Sequence, residues 1–461
     1  MKGTNLALLR TCALGLLTAL TLPGQNQFQG SVPTGTASPQ PLSLTLREAI
    51  DRGLKTNLGL LVSDSATETA RGQRLQLLSA LLPSINGQFS QTEEQLSLST
   101  IGLTTVLGVS LPQVIGPFHY TDVRASASWT AYDYSARKNH QSAKENELAA
   151  RLSAQDARDV VVQAVASGYL QIIADSSRIE ATRSQVETSQ ALYDRAVDQL
   201  QAGTSARIDV LRSQVELKQQ QQRLIAQENQ FAKDKLALGR VIGFPPGQDL
   251  SIAESVPFSE LTSMTQDQAL SAAIEQRPDF QSYQARVRAA EESVKAARGQ
   301  RYPTGVISAD YGDVGTSLAN SHGTFSAVGS VKFNIFDAGR ISADVIQAKA
   351  ALKQRQDELA DLRAQIDYQV RTAFLDIRTA SDQVAVAQSN LELANETLVQ
   401  ARDRFTAGVS DNIEVVQAQE SVATSNDSLI AALYSHNLAK VGLARAVGSA
   451  DKGIQRFVEV K

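Results

Sequence analysis

A helical hairpin written twice constrains this chain's fold more than any other feature. Val165, Ile172, Ile179, Val186, Tyr193 and Leu200 recur every seven residues and run into Gly203. Val370, Ile377, Val384, Leu391, Leu398 and Phe405 repeat the rhythm and run into Gly408, 205 positions later. Past each glycine a second heptad begins, with Val210, Leu217, Leu224, Phe231 and Leu238 in one copy and Val415, Val422, Leu429, His436 and Leu443 in the other. A sustained period of seven predicts long helices coiled left-handedly against neighbours. Glycine suits the left-handed backbone that ends a helix, and the short link after it makes the return helix antiparallel. A helix of about 65 residues spans on the order of 100 Å. A long rod built twice suggests a scaffold or a conduit more than a catalytic pocket.

The duplication reaches beyond the hairpins. Leu44-Thr-Leu-Arg-Glu-Ala49 aligns with Met264-Thr-Gln-Asp-Gln-Ala269, and Leu82-Pro83-Ser84 with Tyr302-Pro303-Thr304, both at an offset of 220. Tyr132-Asp133 aligns with Phe336-Asp337 at 204, so the first half holds extra residues between Pro83 and Asp133. Most of that length falls in 91–120, which reads as a loop. The expected organisation is a signal at 1–24, a flexible leader at 25–43, a first repeat at 44–243, a linker at 244–263, a second repeat at 264–448 and a tail at 449–461. The hairpins are expected at 136–240 and 341–447.

Between proline and aromatic-Asp, each half alternates with period two. Ile85, Gly87 and Phe89 interleave with polar residues, as do Val123, Ala125, Ala127, Trp129 and Ala131. Ile307, Ala309 and Tyr311, then Phe325, Ala327, Gly329, Val331, Phe333 and Ile335, do the same in the second half. This predicts four strands, at about 84–95, 121–133, 304–313 and 323–336, each with one apolar face. The apolar face fits either a soluble core or a membrane β-barrel. Long neighbouring helices leave no obvious globular core for it to cover. An unpaired strand edge cannot sit in lipid, and the smallest membrane barrels need about eight strands. Four strands per chain therefore require an oligomer, without fixing its number.

Composition excludes several functions. With 44 basic and 48 acidic residues, nothing points to nucleic acid. Lys2 and Arg10 followed by the apolar run Cys12 to Leu22 read as a secretory signal. Arg10 and Thr11 precede the only cysteine, Cys12, which argues against lipidation. The four histidines, His119, His140, His322 and His436, lack ligand spacing. No metal, cofactor or catalytic constellation is expected.

Several stretches together resemble a known family: Arg277-Pro278-Asp279-Phe280, Tyr302-Pro303, Phe336-Asp337-Ala338-Gly339-Arg340, and the paired turns Gly203-(x)4-Ile208-Asp209-Val210 and Gly408-(x)4-Ile413-Glu414-Val415. Their order and duplication look like the TolC-like outer-membrane efflux proteins. The resemblance implies an α+β membrane protein. Its homotrimer would form a 12-stranded outer-membrane barrel continued by a coiled-coil tunnel into the periplasm. It implies partnership with a periplasmic membrane-fusion adaptor and an inner-membrane transporter of RND, ABC or MFS type, contact with outer-membrane lipid, and no catalysis. Gly203, Thr204, Ser205, Ile208, Gly408, Val409, Ser410 and Ile413 become the expected adaptor-docking tips. Asp209, Asp411 and Glu414 become gate candidates, because acids repeated around an axis concentrate negative potential. The bland reading, acids favoured at a helix start by the dipole, stays open beside it. Asp133 and Asp337 are expected to cap the long helices at the strand-to-helix junctions, with their aromatics at the membrane boundary. Small-molecule efflux is the leading reading. Type I protein secretion and a pore-less secreted coiled-coil protein are the alternatives.

Overall fold

The structure, a computed structural model, describes residues 27–98, 100, 102, 105–106, 109–110, 112–252, 254, 258–260, 264–410 and 412–458. The expected signal at 1–24, gate candidate Asp411 and the last three residues of the tail lie outside them. A two-residue strand β1 (Leu42–Ser43) leads into α1 (Leu46–Thr56) and α2 (Leu58–Ser79). Strand β2 (Ser84–Ser97), a small hairpin of β3 (Thr105–Val106) and β4 (Val109–Ser110), and β5 (Val114–Tyr132) follow. The first long hairpin is α3 (Tyr134–Gln201) with α4 (Arg207–Val241), and β6 (Leu250–Ser251) closes the half. The second half runs α5 (Gln266–Gln276), α6 (Pro278–Gly299), β7 (Thr304–Gly315), β8 (Ser321–Lys332), α7 (Arg340–Thr406), α8 (Asn412–Val447) and α9 (Ala450–Phe457).

Matching residues start matching helices. Thr45 accepts a bond from the Glu48 amide while Glu48 bonds back to the Thr45 amide, and Thr265 with Gln268 makes the same reciprocal cap on α5. The helices they start are 11 residues each, and those that follow are 22 each. The heptad residues turn inward in the upper hairpins: Val165, Ile172, Val370, Ile377, Leu238 and Leu443 are buried in one core with α1, α5 and α9. Tyr169 sits in it with its hydroxyl donating to Leu44 O at 3.0 Å. Burial pushes that hydroxyl's pKa well above its ordinary value, with the Glu254 carboxylate reinforcing the shift. No helix among the described residues is long and apolar enough to cross a membrane.

The main sheet is antiparallel in the order β2-β5-β7-β8, so β2 and β8 are its open edges. Register gathers the apolar residues on one face. Gly87, Ala125, Tyr311 and Phe325 form one row across all four strands, and Ile85, Ala127, Ala309 and Ala327 the next. That face has no cover: Ile85, Phe89, Phe325 and Val331 are among the most exposed large hydrophobics. The other face carries Arg124, held between Asp122 and Asp310.

Four expectations are corrected. The leader is not flexible from Phe28 on. Leu58 N donates to Gly30 O at 2.9 Å, Val32 N to Thr56 O at 2.9 Å, Thr34 N to Gly243 O at 3.1 Å, and Leu42 pairs in parallel with Leu250. A Cβ on Gly59 would stand 2.4 Å from the Phe28 ring, so glycine makes room for this strap. The loop expected over 91–120 is shorter, because β2 runs past the expected end near 95 to Ser97 and β5 starts at Val114 instead of near 121, the two pairing over that stretch. Gly116 and Pro117 break the alternation at the start of β5. The fourth strand ends at Lys332, not near 336, and a seven-residue connection leads to α7. The tail holds α9, whose Ile454 and Phe457 reach the core.

Candidate functional site: hairpin tips and strand-to-helix junctions

Both hairpins end in one backbone motif. Thr204 N donates to Gln199 O at 2.9 Å and Gly203 N to Leu200 O at 3.0 Å, while Val409 N donates to Arg404 O at 3.0 Å and Gly408 N to Phe405 O at 3.1 Å. This nested pair of bonds requires a left-handed residue, and both glycines have φ of +70°. No atom would crowd a Cβ at either position, so the backbone angle and not the space selects glycine.

Past the glycines, each tip turns its own acid inward. Ser205 Oγ donates to Asp209 Oδ2 at 3.0 Å, and the Ser410 hydroxyl donates to the Glu414 carboxylate four residues on. Arg212 stands 3.5 Å from Asp209 on the same helix, whereas Arg404 reaches across the turn to within 3.2 Å of Glu414. Both acids therefore hold an arginine and a serine of their own chain. Ile208 and Val409 project outward, half or more exposed, and Ile413 is half-buried.

A cross-link between the tips escaped the sequence reading. Asn412 is buried, donating from Nδ2 to Ser213 Oγ at 2.7 Å and to Asp209 O at 3.4 Å. The first residue of α8 thus seats on the first turns of α4. Arg195 of α3 lies over the Phe405 ring at 6.0 Å and donates to Thr406 at 3.4 Å. Higher up, Arg223 meets Glu420 at 3.1 Å and Gln185 donates to Gln419 O at 3.1 Å. Gln419 is fully buried, and its own amide has no partner among the described residues. The hairpins therefore join through polar groups near the tips and through an apolar core above. An asparagine at a helix start signals a cap, but nothing in its spacing pointed across to α4.

At the opposite end of the long helices, Asp133 Oδ1 accepts from Ala136 N at 2.9 Å and starts α3 directly behind β5. Asp337 accepts from Ile341 N at 2.9 Å and Gly339 N at 3.2 Å, and these bonds hold its carboxyl below the usual range. Tyr134 packs edge-on to Tyr302 with ring centroids 5.2 Å apart. Midway, His436 is buried against Phe258, centroids 4.7 Å apart, and neither ring nitrogen has a partner among the described residues. Burial, then the Lys440 charge, pulls its pKa down to about 4. Among the described residues no group of His, Cys, Asp and Glu has the arrangement to hold a metal.

The sequence pattern of the outer membrane efflux protein family matches residues 49–244 and 269–449. The chain is 22% identical over 418 residues to the toluene efflux pump outer membrane protein TtgC of Pseudomonas putida, covering 87% of this chain and 82% of that one. It is 22% identical over 414 residues to the pyoverdine export outer membrane protein OpmQ of Pseudomonas aeruginosa, covering 87% and 85%. Among solved structures, the CmeC outer membrane channel of Campylobacter jejuni superposes with a TM-score of 0.78 at 16% identity, covering 92% of each chain.

Proposed function

The chain belongs to the outer membrane efflux protein family, and we propose that it is the passive outer-membrane duct of a three-part export assembly for small organic molecules. An efflux channel of the outer membrane needs no catalysis of its own. The observation that carries the proposal is the open sheet: two unpaired edges, one uncovered apolar face, and hairpins on the order of 100 Å long hanging from one end. Lipid tolerates no unpaired strand edge, so β8 of one chain pairs with β2 of the next. Three copies then give a barrel of about 12 strands, within the range of membrane barrels.

Exposed apolar side chains support side-by-side assembly. Ile208, Leu211, Val215, Ile225 and Leu236 form a second stripe on α4, opposite its buried seam. Tyr368, Leu375, Val386 and Leu393 do so on α7. Stripes of this kind are the usual material of a helix-to-helix interface. The inner-membrane transporter supplies the energy, and the adaptor meets the tips at Gly203, Thr204, Ser205, Ile208, Gly408, Val409, Ser410 and Ile413. Asp209 and Glu414 guard the opening. Asn412 ties the two tips of one chain together at Ser213 and Asp209.

The test is purification in detergent followed by planar-bilayer recording. A heat-modifiable trimer with stepwise ion conductance is expected. A monomer that stays soluble without detergent would end the duct reading.

A further inference from the structure

The two strand-to-helix junctions of one chain carry different chemistry at equivalent positions. At an offset of 220, Leu78 and Leu81 correspond to Arg298 and Arg301, and at 204 Ala136 corresponds to Arg340. Trp129, on the apolar face of the sheet, donates from its indole to Leu81 O at 3.1 Å, so the end of α2 lies beneath that face. By the internal symmetry, the end of α6, with Arg298 and Arg301, lies beneath it in the second half.

Contacts draw Arg301 and Arg340 together, and Arg298 stands three residues before Arg301, its carbonyl accepting from Arg301 N at 3.3 Å. Arg301 donates to Ser342 Oγ at 3.2 Å and Arg340 to Gln300 Oε1 at 3.1 Å, crossing between the end of α6 and the start of α7. All three are exposed. Among the described ion pairs, Arg298 and Arg301 have none, and Arg340 has only the solvent-facing Asp344 at 3.4 Å. The nearby Asp337 carboxylate is occupied by two backbone amides. Beside the cluster runs the seven-residue connection from β8 to α7. Phe333 and Ile335 continue the outward series Phe325 to Val331, and Ile335 and Phe336 are 88% and 89% exposed. The first half has no such connection, because Asp133 alone separates β5 from α3.

We propose that this second-half rim holds the headgroup of an anionic glycerophospholipid in the leaflet where the strands give way to helices. The inference rests on the duct reading. Phe333, Ile335 and Phe336 enter the boundary between acyl chains and headgroups, and the Arg298, Arg301 and Arg340 guanidiniums meet the phosphate from below. Guanidinium forks suit phosphate oxygens. An exposed cluster beside an apolar loop suits a lipid, which brings both parts, better than a free phosphate. A trimer would carry three such sites.

The chain carries its own reporter. Trp129 is its only tryptophan, lies at this level of the sheet and is 42% exposed. The full-length protein is reconstituted into vesicles containing brominated phosphatidylglycerol or brominated phosphatidylcholine, and Trp129 quenching gives the relative affinity. The glycerol lipid is expected to win by at least about fivefold, the discrimination of roughly one basic side chain beside an anionic headgroup. The triple variant R298Q/R301Q/R340Q should lose that preference while keeping the wild-type conductance. Equal quenching in the wild type, or an unchanged preference in the variant, overturns the inference. If the triple variant fails to assemble, Arg301→Gln alone should lower the preference and Arg301→Lys restore part of it. Relief of quenching by inorganic phosphate, beyond that of chloride at equal ionic strength, would make free phosphate the ligand and overturn the lipid assignment. A preparation that never inserts or conducts fails the duct reading. One that conducts without a lipid preference fails this inference alone.

Discussion

Asn57 ends the short first helix of the first half, and Arg277 ends its counterpart in the second. Both are buried, at 0% and 2% exposure. Asn57 accepts from Gly59 N at 2.9 Å and donates to Phe28 O at 2.8 Å, so it holds the leader. Arg277 donates to Asp279 at 2.6 Å, to Gln369 at 2.7 Å and to Ala446 O at 3.2 Å, so it holds α6, α7 and the end of α8 together. Burial raises the pKa of the Asp279 carboxyl, but the Arg277 charge and bonds outweigh it and leave the group below its ordinary value. The backbone at the two positions is nearly the same, extended in both. One position in a duplicated frame thus captures the leader strap in the first half and ties helices together in the second. The frame repeats where main-chain geometry decides, and diverges where a buried side chain chooses its partners, the leader for Asn57 and the neighbouring helices for Arg277.

Substitutions at paired positions probe that difference, and the largest effect is expected here. Arg277→Ala leaves the Asp279 carboxylate buried without its partner and should cost about 3–5 kcal/mol. Asn57→Ala removes neutral hydrogen bonds and should cost about 1–3 kcal/mol. Thermal melting of the purified protein in detergent ranks them. Equal losses would mean that the two positions do the same job.

The next pair is Phe231 and His436, which occupy the same heptad slot. The folded pKa of His436 lies at about 4, below the ordinary histidine value. Between those values the unfolded chain binds the proton and the folded chain does not. Stability is therefore full above about pH 6.5 and falls as pH drops toward 4, by on the order of 3 kcal/mol. His436→Phe copies the first half and should flatten that slope between pH 6.5 and 4. A slope as steep as the wild type's would assign the acid sensitivity to another group.

Gly203 and Gly408 test the opposite claim, that the halves agree. Alanine at either forces a side chain into the left-handed region and should cost about 1–2 kcal/mol, equally at both. A difference larger than about 1 kcal/mol would show that the tips are not equivalent motifs.

The smallest stability effects are expected for Asp209→Asn and Glu414→Gln, below about 1 kcal/mol each, because their ion pairs are partly exposed. Their readout is conductance and its block by divalent cations. Glu414→Gln should change both more than Asp209→Asn, since Arg404 ties Glu414 across the turn while Arg212 is a neighbour on the same helix. Unchanged block in both variants would remove the acids from the constriction.

What could be read from the sequence follows the range of the interactions. Heptads and turn glycines are local, so the hairpins and their ends were legible from residues such as Val165 and Gly203. The alternation in Phe325 to Val331 is equally local and marks the strands, though the start of β5 at Val114 to Tyr120 escapes because Gly116 and Pro117 interrupt the period. Phe28 against Gly59, Asn412 on Ser213 and Arg404 on Glu414 depend on elements brought together only by folding, and no spacing encodes them. At the tips, the acids were visible but their serine and arginine partners were not. The sequence alone therefore leaves the charged-ring and helix-start readings of these acids side by side.

The open edges of the sheet govern how such a duct can come into being. The outer edges of β2 and β8 have no partner among the described residues of the chain, so a lone copy has no form compatible with the bilayer interior. For the proposed barrel, entry into the membrane and closure of the ring would be a single event, with a rate that climbs steeply with chain concentration. In the proposed trimer, a chain damaged at one edge would strand two sound neighbours. A proline in β8 would therefore act as a dominant poison in a mixed population, far beyond its share of the copies.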